Sequence, residues 1–594
     1  MSITPQGISI QTAYRWYRDG RLIINRQYQR KLVWTIAEKQ RLIDSVLKDY
    51  PLPLFLIAER SVEGQEMTVL EVIDGMQRLN AIFGFIENVF LVDNECFDIN
   101  EFSRARQLAE AGVFSTYGPE VKRLDAAKCA NILDYQLAMT IFPGEEAARI
   151  ANVFGRVNSG GKQLSDQERR QAGVLSPFAE LVRELSAEFR GDVSRAELPL
   201  TDMPEISIET TKNVHGYTLK AEEIFWCYQG ILRTTGLRDS EDEQVIADIL
   251  ASILYEQPVE ASGEYLNKLY DPSTNEYKDV NAKLIAFPRD SLFDQVMKVM
   301  SVVREFIELS SKDRFHFRDT VYEKQTSNSQ KQAFYAVFMA VYGLIMKRGF
   351  LPASPEKIMT SLSNLSKRIH VGQKHIKTTE RAKNIKVVTG LIEDCFAKGD
   401  VASLGHGPGI TYDLENSIRR ARTETARYEF KQGILRLDAK RQQDPAFMQT
   451  LIETICGIAN VGPDSDGFLY VGIADKPADA ARVAQLDKMQ PEKFEHVEIV
   501  GIDREAKVLG IKLDAYVKLF ENALSSAQLS EPLKTQVRAG LDVVTIKGLS
   551  ILRIRIPKQS APSFLADECF FRAGSSTIRA TGPQIAAISK QFAV

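Results

Sequence analysis

The stretch Ile73-Asp74-Gly75-Met76-Gln77-Arg78 constrains this chain more than any other. An apolar, β-branched run from Thr68 to Ile73 leads into it, and a helical pattern (Leu79, Ile82, Phe83, Ile86) leads out. The two periodicities predict a strand that turns directly into a helix. An acid, a glycine, an amide and a guanidinium then sit at the turn. A helix N-terminus presents outward N–H groups and the positive end of its dipole, which suits phosphate. Arg78 adds a planar donor fork. Asp74, Gly75, Gln77 and Arg78 are therefore the first candidate reactive residues. The same spacing also fits a capping box, with Asp74 as N-cap and Gln77 three residues on.

Around this turn the order of elements is legible. Ala13 to Tyr17 has a helical pattern ending at Asp19-Gly20, and Leu22 to Ile24 is a short apolar run. Thr35 and Glu38 have capping-box spacing for a helix whose face is Leu42, Ile43, Val46 and Leu47. Leu54 to Ala58 reads as a strand, with Thr68 to Ile73 as its hairpin partner. Ile132 to Phe142 is strand-like, and Glu145 to Val157 is helical. The loop Arg156-Val157-Asn158-Ser159-Gly160-Gly161 follows, and Ser165 with Glu168 would cap the next helix. Arg156 and Asn158 offer donors beside a glycine pair that lets backbone approach a ligand.

From about 175 to 398 the period is mainly helical, with candidate helices at 219–236, 242–255, 291–310, 329–347, 355–369 and 378–397. Residues 367–386 carry Lys367, Arg368, Lys374, Lys377, Arg381, Lys383 and Lys386 against the single acid Glu380. This is either a solvated helix face or a surface that tracks phosphates. Gly405-His406-Gly407-Pro408-Gly409 is a breaker cluster that marks a boundary. Beyond it lie a charged helix with Arg419, Arg420, Arg422 and Arg427, where Glu415–Arg419 has i,i+4 spacing. An α/β pattern follows: Tyr428 to Lys431, a helix with Phe447, Leu451 and Ile455, a strand Gly467 to Ala474, a hairpin around Gly548, and a last strand Glu568 to Ala573.

Composition narrows the class. The 594 residues predict several domains, roughly three to five. A net charge of −3 excludes a uniformly basic nucleic-acid binder, so any such surface is local. The six cysteines are widely spaced with no C-x-x-C pair, which fits a reducing cytosol and no zinc ribbon. No stretch approaches the ~18 apolar residues of a membrane span. Walker, G-x-S-x-G and zinc-deaminase patterns are missing from the sequence.

Two family resemblances rest on these residues. Gln29-Arg30 with Val33-Trp34, then Ile73 to Arg78, then Phe154-x-Arg156-x-Asn158-x-x-Gly161-x-x-Leu164, resemble the three boxes of the GmrSD-type restriction N-terminal domain. That family has a ParB/sulfiredoxin-like fold and an Asp-Gly-Gln-Gln-Arg motif, and it includes nucleotide-hydrolysing components of bacterial anti-phage systems. The resemblance implies a nucleotide site made of Gln29, Arg30, Gly75, Arg156 and Asn158 around Asp74, Gln77 and Arg78, with Mg²⁺ and a nucleoside triphosphate. Met76 departs from the motif, standing where the family has a glutamine. Glu429-Phe430-Lys431, Ile455 to Asn460, Gly467 to Asp475 and Phe571 to Thr577 resemble the Schlafen AlbA-like domain, a family associated with nucleic-acid binding. Some of its members are nucleases with clustered carboxylates. That likeness implies Glu424, Glu429 and Asp475 as metal ligands with Lys431 beside them.

The fold class that follows is α+β multidomain. Residues 1–175 form a ParB-like domain, 176–398 a helical domain, 399–412 a linker and 413–594 an α/β AlbA-like domain. The expected function is bacterial anti-phage defence: nucleotide binding and hydrolysis coupled to DNA binding or cutting. Lys374, Lys377, Arg381, Lys383, Arg419 and Arg420 are the candidate DNA contacts. The expected partners are phage DNA, modified or not, a nucleotide and a second copy of the chain, in the cytoplasm and without a membrane. The alternative is a regulator that senses a nucleotide or modified base without turnover.

Overall fold

Two compact units account for the chain: Met1–Met297 with Phe306–Lys398, and Lys298–Glu305 with Gly399–Val594. The structure, a computed structural model, describes all residues except 1–4, 27–31, 62–67, 144–164, 172–173, 175, 193–196, 204, 208–217, 323–327, 372–374, 402–403, 405–410, 422–424, 464–465, 547 and 593–594.

The first unit begins with β1 (Gln6–Ser9), α1 (Ile10–Arg18), β2 (Leu22–Asn25), α2 (Ile36–Leu47), β3 (Phe55–Ser61), β4 (Thr68–Asp74) and α3 (Met76–Ile86), and later adds β5 (Gln136–Pro143) and β6 (Glu197–Pro199). These strands make a six-stranded mixed sheet in the order β1-β5-β3-β4-β2-β6. The expected hairpin is β3 against β4, antiparallel, with a bulge between Leu56 and Ile57. β2 runs parallel to β4, and β5 parallel to β3. Two of the three capping boxes that the spacing allows are present. Thr35 N–H donates to Glu38 at 2.9 Å while Glu38 N–H donates to Thr35 Oγ1 at 3.3 Å, and Ser165 and Glu168 do the same at 2.9 and 3.3 Å. The strand expected from Ile132 starts later, because Ile132 and Leu133 belong to the buried face of a helix at Ala126–Asp134 capped by Asp125.

The core beneath the sheet is aliphatic and aromatic. Phe55, Ile57, Val72, Leu79, Ile82 and Phe83 are fully buried, and the rings of Tyr17 and Phe83 stack at 4.6 Å. Such burial is the dominant stabilising term.

The middle of the chain is helical, as its period predicts: α4 (Pro177–Arg190), α5 (Glu241–Leu254), α6 (Lys331–Tyr342) and α7 (Thr378–Ile392) are among its helices. Three expectations fail in detail, the first being the helix read at 355–369, which stops at Ser361 before a 3-10 turn at Leu365–Lys367. The helix read at 219–236 is broken into Phe225–Tyr228 and Thr234–Arg238, with Gly230 between them at φ +69°. The helix read at 329–347 ends as a π-helical turn over Gly343–Lys347.

In the second unit, β7 (Tyr428–Lys431), α8 (Phe447–Ala459) and β8 (Gly467–Val471) form a parallel β-α-β crossover. β9 (Leu541–Ile546) and β10 (Leu549–Ile556) make the hairpin expected around Gly548. The sheet order is β7-β8-β10-β9. A further hairpin, β11 (Phe570–Ala573) and β12 (Ser576–Arg579), packs on α8. Gly467 is obligatory here: a Cβ would stand 2.1 Å from the Ile458 Cγ2 of α8. Asn460 fastens the end of α8, since its amide donates to Ser563 O (2.9 Å) and Phe570 O (2.8 Å) and accepts from Ser563 N (2.7 Å). Asn460→Ala strands these buried groups and is expected to destabilise the second unit by roughly 2–4 kcal/mol, read by urea unfolding.

All six cysteines are free and buried. Burial pushes the Cys227 and Cys456 thiols up to about 12, so both stay protonated at neutral pH. Among the described residues no helix is long and apolar enough to cross a membrane.

Candidate functional site

The parallel pairing of β2 with β4 puts their carboxyl ends on one edge of the sheet. The first box follows β2 and the second follows β4, so topology alone brings the two together. Carboxyl ends of parallel strands are where open α/β sheets bind ligands. A side chain makes the junction: Gln77 Oε1 accepts from the Val33 N–H at 3.1 Å and the Trp34 N–H at 3.4 Å. Gln77 therefore ties the first box to the helix that opens the second.

The turn differs from the capping box that its spacing allows. Asp74 is the last residue of β4, and Gly75 takes the N-cap position at φ +106°, with no side chain capping α3. Gly75 is held there by packing as well as by conformation. A Cβ on it would meet the Phe55 ring at 2.2 Å. The guanidinium of Arg78 lies over the same ring, 4.3 Å from its centroid. Phe55 is thus flanked by the glycine and the arginine of one motif.

Arg78 is not an outward fork. Its residue is 8% exposed, and it donates to the backbone carbonyls of Pro53 and Leu54 (3.1 Å to the latter) and to Asp74 Oδ2 at 2.8 Å. Desolvation lowers its pKa from the usual arginine value, with Asp74 opposing the shift. The guanidinium closes the loop before β3 onto the end of β4. Asp74 is half-buried, its side chain 32% exposed, and it is the one carboxylate of the motif. Met76 is in the core at 7% exposure, so its position serves packing in this chain.

Other predicted residues fall in three classes. Gln29, Arg30, Arg156, Asn158, Lys374 and Glu424 lie outside the described residues. Arg381 and Arg419 are not open phosphate contacts. Arg381 is 1% exposed, stacked 3.4 Å over the Tyr335 ring, and bonded to Val259 O (2.9 Å) and Asp248 Oδ2 (3.0 Å). It sits on the buried side of α7, a face that a count of basic residues does not distinguish. Arg419 folds onto Glu495 (3.0 Å), Asn416 (3.0 Å) and the Phe494 ring. Glu415, its expected i,i+4 partner, instead takes both amino groups of Arg304 at 2.9 and 2.7 Å. Arg420 is half-buried beside Asp413. Lys377 and Lys383 are exposed, with Lys367, Arg368 and Lys386.

In the second unit Glu429 and Lys431 share a face of β7. Lys431 Nζ lies 2.6 Å from Glu429 Oε1, and Arg572 Nη2 lies 2.8 Å from Oε2. Arg572 also donates to Thr577 Oγ1 at 2.9 Å, which donates to Thr454 Oγ1 at 3.3 Å. Sequence reasoning missed Arg572 as a partner of Glu429; the 143 residues between them hide it, and the one signal was an arginine in the last strand pattern, Glu568 to Ala573. Asp475 is exposed beyond β8. Among the described residues no three His, Cys, Asp or Glu side chains gather to hold a metal ion.

No curated protein and no solved structure matches the chain. A family model does, over the segment that carries β2 to β5 and the Asp74–Arg78 turn: residues 13–175 match the GmrSD restriction endonuclease, N-terminal domain, and this part of the chain is a domain of that type.

Proposed function

We propose that the N-terminal domain binds a nucleoside triphosphate at the carboxyl ends of β2 and β4 and hydrolyses it, in a bacterial defence protein directed at phage DNA. The observation that carries this reading is the bond from Gln77 to Val33 and Trp34, which joins two separate polar boxes at one sheet edge. The family match over residues 13–175 supports a restriction-type role.

The roles shift from those the residue types suggest. Asp74 is the reactive carboxylate, since it is the partly exposed acid of the turn. One carboxylate with the phosphates of the nucleotide suits Mg²⁺, which retains several of its waters. Bound there, Mg²⁺ would neutralise developing phosphoryl charge. Arg78 positions the turn from below, and the uncapped N-terminus of α3 favours negative charge. Gln29, Arg30, Arg156 and Asn158 are the proposed contacts to phosphate, ribose and base.

The C-terminal α/β unit is proposed as the AlbA-like, DNA-binding part. Glu429 is neutralised on both oxygens by Lys431 and Arg572, which favours binding over metal-dependent cutting. Loss of DNA cleavage in Glu429→Ala would overturn that preference.

The test is a panel of the four nucleoside triphosphates with Mg²⁺, with and without DNA. Asp74→Asn keeps an oxygen for Arg78 but removes its counter-charge, so the expected outcome is a modestly lowered melting temperature, with turnover in the folded variant reduced by roughly 10²-fold or more. Turnover in Asp74→Asn equal to that of the parent chain, or no binding of any triphosphate by the parent, sinks the reading. Binding without turnover in the parent would favour the sensor that responds to a nucleotide without consuming it, a reading that the buried Met76 supports.

A further inference from the structure

A cleft of 300 Å³ opens in the helical region of the N-terminal unit, between the end of α5, the end of α6 and the flank of α7. Its opening has a backbone cause. α6 does not end as an ordinary helix but widens into the π-turn Gly343–Lys347. Turns of this kind are rare and are frequent at functional sites. Gly343, at the start of the turn, has ordinary helical angles of φ −63° and ψ −41°. Nothing lies within 4 Å of the place a Cβ would occupy. Neither conformation nor packing asks for glycine, and glycine weakens a helix. Its effect is to leave the wall of the cleft low.

The lining has three chemical parts. Ile253, Met339, Leu344 and Ile385 make an apolar wall. Gln257 adds a side-chain amide, which offers a donor and an acceptor together. Lys347 and Lys386 stand at the rim, both exposed and neither ion-paired among the described residues. Arg348 also lines the cleft but is held by Glu393 at 3.2 Å, and Glu256 is the one carboxylate in the lining. Lys386 further belongs to the solvent face of α7 that carries Lys383.

We infer that this cleft binds a nucleoside phosphate, with the base against the apolar wall and the phosphate at Lys347 and Lys386. The volume is at the lower end for small-molecule sites, about 300 Å³, which suits one nucleotide rather than a longer ligand. A base edge presents donors and acceptors together, and the Gln257 amide matches that pattern. The site is separate from the Asp74 turn and does not rest on turnover there. The nucleotide is either free or one unit of a DNA strand running along the exposed lysines of α7.

Titration calorimetry on the full chain tests this, using the four nucleoside monophosphates in one arm and a short 5′-phosphorylated single strand in the other. Gly343→Met adds a side chain where a Cβ has room, so it is expected to fold normally, fill the cleft and weaken binding roughly tenfold or more. The pair Lys347→Glu and Lys386→Glu should have a similar effect through charge. Gly343→Ala is the control that keeps both fold and binding. Binding in the first arm alone identifies a free nucleotide, and binding in the second identifies a strand-borne one. Binding of undiminished stoichiometry and affinity in Gly343→Met, phenyl phosphate binding as tightly as the monophosphates, or no binding in either arm overturns the inference.

Discussion

Gly75→Ala is expected to destabilise the N-terminal unit by roughly 2–5 kcal/mol, although it adds a single methyl group. Two costs combine. The backbone at φ +106° lies outside the regions that L residues adopt readily. The added Cβ would also stand 2.2 Å from Cδ1 and 2.8 Å from Cε1 of Phe55. That ring cannot swing away, because it is fully buried and the Arg78 guanidinium covers it. Urea unfolding of the full chain, with hydrogen exchange on β3 and β4 as the local readout, measures the loss. Phe55→Leu separates the two costs. If the collision contributes, the double variant Phe55→Leu/Gly75→Ala will be more stable than the sum of the single effects predicts. Strict additivity would leave only the backbone term.

The sequence made this region legible because its signals are local. Thr35 and Ser165 cap their helices with glutamates three residues on, and both caps form. The hairpin of β3 and β4 follows from alternation and short range, and the hairpin around Gly548 does too. What stayed hidden is of two kinds. One is facing: Arg381 belongs to a run of basic residues, yet its position on α7 points it at Tyr335 and Asp248. The other is long range. Arg304 reaches Glu415 across 111 residues, and Arg572 reaches Glu429 across 143. No spacing rule links such pairs, and the i,i+4 rule points Glu415 at Arg419 instead. The turn itself shows both effects. Its location was readable from a change of period, but the division of labour between Asp74 and Arg78 depends on Pro53 and Leu54, whose carbonyls are brought in by the start of β3.

That division yields the second large effect. Arg78→Ala removes a buried cation and leaves the Pro53 and Leu54 carbonyls without their donor, so a loss of roughly 3–5 kcal/mol is expected. Arg78→Lys decides what kind of residue Arg78 is. An ammonium keeps the charge beside Asp74 but lacks the planar fork that serves three oxygens at once. If Arg78 contacted nucleotide directly, Arg78→Lys would melt like the parent chain while its KM for triphosphate rose several-fold. A positioning arginine predicts the reverse: stability falls by roughly 1–3 kcal/mol from the unmet carbonyls, while KM, measured at a temperature where the variant remains folded, changes little. Calorimetric melting and initial-rate kinetics on the same preparation read both quantities. The burial of the guanidinium, its two backbone acceptors and its stacking on Phe55 all favour the second outcome. On the proposed function, nucleotide chemistry then falls to Asp74, and Arg78 is the clamp that keeps its carboxylate at the edge of the sheet.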